Sequence, residues 1–157
     1  MGTELLAAAL EREHREIDDG IEAYTAALSP ADRDRRALTR AIHALRRHIY
    51  LEEEFLFPAL HEAGLVAPVF VMLREHGQLW QTLDALERDL DGGMPGGDAL
   101  ALCHRLTVQL QHHNLKEERI LYPQADDVLT ASAGARLRAF LESGALPEGW
   151  ICQKAQV

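Results

Sequence analysis

Six residues of this chain have the types and spacing to hold metal: His14, His48, Glu52, His76, His113 and Glu117. Residues four apart share one face of a helix, so His48 and Glu52 project together, and so do His113 and Glu117. Both pairs keep core spacing. One stripe reads Ala41, Leu45, His48, Glu52, Phe55, Ala59, and the other Leu102, Leu106, Leu110, His113, Glu117, Ile120. His14 falls between Leu10 and Ile17, and His76 between Leu73 and Leu79. Six ionisable groups therefore point toward one core. Buried charges need partners or a metal, and these stripes contain no Lys or Arg. Cations would neutralise the carboxylates and use the imidazole lone pairs. Imidazole with carboxylate suits iron, manganese or zinc better than copper(I). Two ions would each take one lone His and one His of an HxxxE pair. The two Glu side chains could bridge them. Coordination positions would stay open for water, oxo, dioxygen, peroxide or nitric oxide.

Each feature alone has a plainer explanation. A lone core-facing His is more often a satisfied core histidine, and an HxxxE pair is more often a surface contact. Coincidence changes the weighing. Arg12-Glu13-His14 recurs as Arg74-Glu75-His76. The run from His48 to Pro58 recurs from His113 to Pro123, with His, Glu, Glu, Leu and Pro in the same places and Phe57 answered by Tyr122. A twofold repeat of helix pairs can carry two equivalent half-sites facing each other. His43, His61, His104 and His112 lack such counterparts and read as solvent-exposed. Glu53 and Glu118 read as helix-face carboxylates, with bridging or support of the ligands as the alternative; Tyr24, Tyr50 and Tyr122 read as packing residues, with a redox or ligand role as the alternative; and Cys103 and Cys152 read as non-ligands.

The elements that must position these residues are all helical. The fold class is all-α, an antiparallel up-down-up-down four-helix bundle with a short C-terminal helix and an irregular tail. The first helix spans about 3–28, with Leu6, Leu10, Ile17, Ile21 and Leu28 on its apolar stripe. Ser29-Pro30-Ala31-Asp32 supplies an N-cap and a helix-opening proline for the second. Pro58 should distort its end and Gly64 cap it. Pro68 opens the third helix. Gly92-Gly93-Met94-Pro95-Gly96-Gly97 is a loop, and Asp98 caps the fourth helix, which runs to Pro123. A short amphipathic helix covers Ala133 to Leu141, and Trp150 anchors the tail. The whole of 1–157 reads as one domain, with the bundle over about 3–123 and the C-terminal helix and tail over 124–157.

The bulk numbers narrow the function. Lys and Arg total 16 against 25 Asp and Glu, a formal charge of −9, which repels nucleic acid and anionic membrane. No apolar run is long enough to cross a bilayer, and the N-terminus lacks the basic start of a signal peptide. Two cysteines without a CxxC pair read as free thiols of a reducing cytoplasm, which is the expected location.

The motif order H…HxxxE…H…HxxxE, with two HxxxEE…(F/Y)P segments, resembles the hemerythrin-like, or HHE cation-binding, family. The resemblance covers His14 to Pro123. It implies a non-haem di-iron centre, two iron ions with an oxo or hydroxo bridge. Ferritin-like di-iron proteins differ, since they place Glu before His at spacing three. The family's oxygen carriers have a second His one turn after the third-helix His, where this chain has Trp80. They place Asp five residues after the fourth-helix His, where this chain has Glu118. These departures point away from dioxygen storage and toward redox or stress chemistry with peroxide, nitric oxide or dioxygen, served by an unidentified reductant. The alternative is reversible dioxygen binding, or iron and oxygen sensing, without turnover.

Overall fold

The computed structural model describes residues 4–92 and 98–155. Among them all regular structure is helical. The helices are α1 (Leu6–Thr25), α2 (Arg35–Leu51), α3 (Phe57–Glu62), α4 (Val66–Asp91), α5 (Ala99–Lys116), α6 (Tyr122–Val128) and α7 (Ala131–Ser143). Five-residue π-helical turns, Glu52–Leu56 and Glu117–Leu121, join α2 to α3 and α5 to α6 without a break. Helix α1 packs along α2, and α4 along α5; α1 also meets α5 and α6.

Two prolines explain the π turns. Proline has no N–H, and its ring collides with the carbonyl four residues back. The helix accommodates Pro58 and Pro123 by widening just before them, so the Phe57 amide donates to the Glu52 carbonyl and the Tyr122 amide to the Glu117 carbonyl. Each five-residue step inserts one extra residue and shifts the phase of the apolar stripe. The sequence stripes therefore fail beyond Glu52 and Glu117. Ile120 is 47% exposed whereas Leu121 is buried. In the first half Leu56 and Leu60 are buried, and Phe55 and Ala59 only partly so.

Other expectations move by a few residues. Helix α1 ends at Thr25, and Leu28 is fully exposed beyond it. Asp34, not Ser29, caps α2, its carboxylate accepting from the Ala37 amide, while Pro30–Asp32 is a separate 3-10 turn. Helix α4 opens at Val66, with Pro68 in its first turn. Asp98 makes no side-chain cap; instead its amide donates to Asp89. Of the expected glycine-rich loop, residues 93–97 lie outside the described residues. The α5 rod continues past Pro123 to Val128. Asp126 on α6 accepts from the Leu6 and Ala7 amides at 2.9 and 3.3 Å, capping α1 from a distance. Gly64 takes φ +104°, a conformation only glycine adopts freely.

The interior contains two apolar clusters. One gathers Ile17, Ile21, Leu38, Leu45, Leu79, Leu83, Leu106 and Leu110; the other gathers Leu6, Leu10, Leu51, Leu56, Met72, Leu121 and Leu137. Along each long helix the six candidate residues fall where one cluster gives way to the other. Fully burying each flanking leucine contributes about 2 kcal/mol, which offsets the cost of the polar layer between.

Helices α1 and α2 approach closely at Gly20, where an added Cβ would lie 2.8 Å from the Ala41 Cβ and 3.2 Å from the Ala37 carbonyl oxygen. Gly20→Ala is expected to destabilise by about 1–3 kcal/mol. Gly134→Ala, whose new methyl meets only Leu6 Cδ1 at 3.9 Å, should be neutral or stabilising by up to about 1 kcal/mol. Thermal melts of the two variants check this pair, and equal losses would contradict the packing described.

Candidate metal centre

The six sequence-predicted residues converge between the two apolar clusters. His14 comes from α1, His48 from α2, Glu52 from the first π turn, His76 from α4, His113 from α5 and Glu117 from the second π turn. All six are buried, with Glu52, His76 and Glu117 at 0% exposure. They form two groups that share both carboxylates: His14, His48, Glu52, Glu117 and His76, His113, Glu52, Glu117. Within each group one donor atom per residue lies within 4.8 Å of the others. The rings stand in pairs, His14 with His48 at 4.8 Å between centroids and His76 with His113 at 4.9 Å. His43, His61, His104 and His112 are exposed, as expected. Cys103 and Cys152 are buried in the apolar core, outside both groups.

Every imidazole is held from behind. His14 Nδ1 meets Glu118 at 2.8 Å, His48 Nδ1 meets Glu13 at 2.8 Å, His76 Nδ1 meets Glu53 at 2.7 Å and His113 Nδ1 meets Glu75 at 2.9 Å. A carboxylate can only accept, so each ring donates from Nδ1 and presents Nε2 to the interior. The sequence gives no such function to Glu13 and Glu75. For Glu53 and Glu118 the structure favours the alternative of supporting the ligands over that of plain helix-face carboxylates. Their signal was the repeat itself, since the doubled Glu-Glu and the Glu of Arg-Glu-His both recur.

Tyr122 also departs from expectation. It is not simple packing. The π turn rotates it inward, and its hydroxyl lies 2.8 Å from His14 Nε2, 3.0 Å from His48 Nε2 and 2.6 Å from Glu52 Oε2, to which it donates. Its repeat partner Phe57 instead stacks on His76 at 5.3 Å. The two halves are therefore alike in imidazole and unlike in phenol. Tyr24 is buried as packing, and Tyr50 packs against Phe55, Phe140 and Trp150. Trp80 is buried against Trp150 and under the Arg46 guanidinium, and belongs to neither donor group.

Charge follows the same plan. Arg47 pairs with the outer carboxylate Glu13, and Lys116 with the outer carboxylate Glu75. Burial opposes charge on His113, but Glu117 and Glu75 outweigh it and raise the ring to about 10. Burial likewise opposes charge on His48 and His76, yet carboxylates raise both. Burial would raise Glu52, but His48 and His76 carry it well below the usual range. Burial, with Glu117 and Glu52 beside it, raises Tyr122 well above 10.0 and keeps the phenol protonated.

The donor set fits a metal. His113 Nε2 and Glu117 Oε2 are buried without a hydrogen-bond partner, although 3.2 Å apart. An unsatisfied buried pair of this kind is costly, and an ion between them would satisfy both. Neutral nitrogen and anionic oxygen donors suit iron, manganese or zinc.

The chain matches the family described as Hemerythrin HHE cation binding domain over residues 5–125. It belongs to that family. No curated protein and no solved structure matches it. None of the described helices is long and apolar enough to cross a membrane.

The shifts set a pH dependence for the metal-free protein. Burial would raise Glu75, but His113 and Lys116 hold it near about 2 against an ordinary 4.5. Its contribution is present above 4.5 and is lost as pH falls toward 2. His113 is raised, so its contribution is present below 6.5 and is lost as pH rises through about 10. Thermal melts of chelator-treated protein should therefore peak between pH 4.5 and 6.5. Metal loading should move the optimum upward, because ligation needs neutral rings. An optimum that ignores metal would contradict ligation by these rings.

Proposed function

We propose that this chain is a non-haem iron protein whose six buried residues hold two iron ions for redox chemistry with peroxide, nitric oxide or dioxygen. The observation that carries the reading is the sharing of Glu52 and Glu117 between two histidine pairs whose Nε2 atoms all face inward. Each ion would take two imidazoles, and the two carboxylates would serve both. The reading includes an up-down-up-down four-helix bundle, supported by the packing of α1 on α2 and of α4 on α5.

Iron bound there supplies one-electron redox change and Lewis acidity toward a small oxygen or nitrogen ligand. The protein's own residues supply the rest. The four outer carboxylates fix ring orientation and raise ring basicity. The apolar clusters on either side exclude water. Tyr122 holds a proton on its hydroxyl at the edge of the His14–His48 group, within reach of a ligand there. Trp80 packs against Trp150 where an oxygen carrier of the family would place another imidazole. That favours turnover over storage, because fewer protein ligands leave more positions for a reactant.

Iron-loaded protein should consume hydrogen peroxide or nitric oxide faster than the same amount of free iron. Tyr122→Phe should lower that rate by about 100-fold with iron content retained, the usual worth of a positioned proton donor. Activity no better than free iron would overturn the redox reading. A reversible spectral change on anaerobic reduction and re-exposure to air would then favour the alternative of dioxygen binding or sensing.

A further inference from the structure

The two halves of the site differ in what covers them. Glu118, behind His14, has a side chain 36% exposed; Glu53, its repeat equivalent behind His76, has a side chain at 0%. The cover over Glu53 is the segment after α7. The Gln153 backbone amide donates to Glu53 Oε1 at 3.0 Å, while Glu53 Oε2 accepts from His76 Nδ1 at 2.7 Å and His76 Nε2 meets Glu52 Oε1 at 3.0 Å. One hydrogen-bonded chain thus runs from the backbone of residue 153 to a carboxylate shared by both groups.

Several side chains anchor this segment. Trp150 makes edge-to-face contacts with Tyr50 at 5.0 Å and with Trp80 at 5.5 Å. Cys152 is buried in the apolar core. Burial, with Glu53 beside it, raises its thiol to about 12, so it acts as a plug and not as a nucleophile. The Lys154 carbonyl crosses α4 at Gly77, the residue after His76. A Cβ there would lie 2.2 Å from that oxygen, so the crossing requires glycine. Trp80 thereby gains a function: it stands one turn after His76 as a foothold for the segment.

We propose that residues 150–155 form a strap that positions His76 through the Gln153 amide and Glu53, making the hold on the His76–His113 ion depend on the C-terminal segment. Glu53 and Gln153 are positioning residues in this proposal. It rests on the two-iron reading above. Among the described residues no backbone amide donates to Glu118 as Gln153 does to Glu53, so loosening the strap should affect one ion and not both.

Residue 153 permits a clean test. The Ala155 amide donates to the Cys152 carbonyl at 3.2 Å, which makes Cys152 to Ala155 a turn and Gln153 its second residue. That position favours proline. Gln153→Pro therefore deletes the amide donor at a position that tolerates the ring, and Gln153→Ala keeps the donor while removing the side chain. Iron release from loaded full-length protein to a chelator is followed by absorbance, alongside melts of the metal-free proteins. In Gln153→Pro about half of the bound iron should leave roughly ten-fold faster, the lower end of what such outer partners usually contribute. The other half should leave at the unaltered rate. Gln153→Ala should match the unaltered protein in release and in metal-free melt, whereas Gln153→Pro should melt somewhat lower without metal, because Glu53 Oε1 loses its buried donor. Glu53→Gln should reproduce the biphasic release.

Release of both ions together in Gln153→Pro, release at the unaltered rate, or equal acceleration in Gln153→Ala would overturn the strap. Protein that takes up no metal would overturn the two-iron reading instead. In that case the metal-free protein still decides: the His76 Nδ1 proton should exchange slowly in Gln153→Ala and faster in Gln153→Pro. Equal exchange would overturn the strap independently of metal.

Discussion

Four imidazoles can share a buried layer with two carboxylates only if each ring has a fixed direction, and here each is fixed by a carboxylate behind it. The arrangement alternates between and within halves. Glu13 and Glu75 each hold the ring on the next long helix of their own half, while Glu53 and Glu118 reach across to the ring of the other half. The Nδ1 contacts thus tie the four rods into a closed circuit around the site. Removing one outer carboxylate would free a ring to turn, leaving a buried polar atom unpartnered at a cost of about 1–3 kcal/mol. The cations nearby, Arg47 and Lys116, neutralise outer carboxylates and leave Glu52 and Glu117 to the rings and to metal. Arg47 also donates to the carbonyls of Phe140, Leu141 and Gly144, so the end of α7 is tied to the same circuit through Glu13.

Backbone irregularity serves this circuit directly. The prolines at 58 and 123 widen the helix ahead of them, and the aromatic residue before each turns inward by the extra residue. The repeat gives both halves the same turn, but with different aromatics. Phe57 stacks on a ring, while Tyr122 places a hydroxyl among the donors of the opposite group. A site that is symmetric in its imidazoles is therefore asymmetric in its protons, and the strap over Glu53 adds a second asymmetry in solvent access.

The all-helical fold and the six inward residues were legible because both rest on period. Spacing of four with flanking leucines marks a helix face wherever the helix is regular, which holds from Leu38 to Glu52 and from Leu106 to Glu117. The period breaks at the π turns, so regular spacing places Ile120 inward, where the structure exposes it, and favours packing for Tyr122, whose hydroxyl the structure puts among the donors. Two of the outer carboxylates were hidden for a different reason. Glu13 and Glu75 adjoin His14 and His76, so on one helix they point elsewhere, and their partners sit on a neighbouring helix. Only a tertiary contact reveals them. The helix start at Arg35 was hidden because Asp34 competes with Ser29 as a cap, whereas α5 begins at Ala99 as the sequence predicts, although Asp98 makes no side-chain cap and gives its amide to Asp89. The Gln153 amide carries no side-chain signature at all.

Two ions sharing Glu52 and Glu117 is the claim on which the function depends. Elemental analysis combined with iron X-ray absorption on the protein as isolated in air tests it most directly. The account requires two irons per chain and a metal–metal scattering contribution, both abolished when Glu52 and Glu117 are replaced together by alanine. Iron well below one per chain, or two irons with no metal–metal contribution, would contradict it.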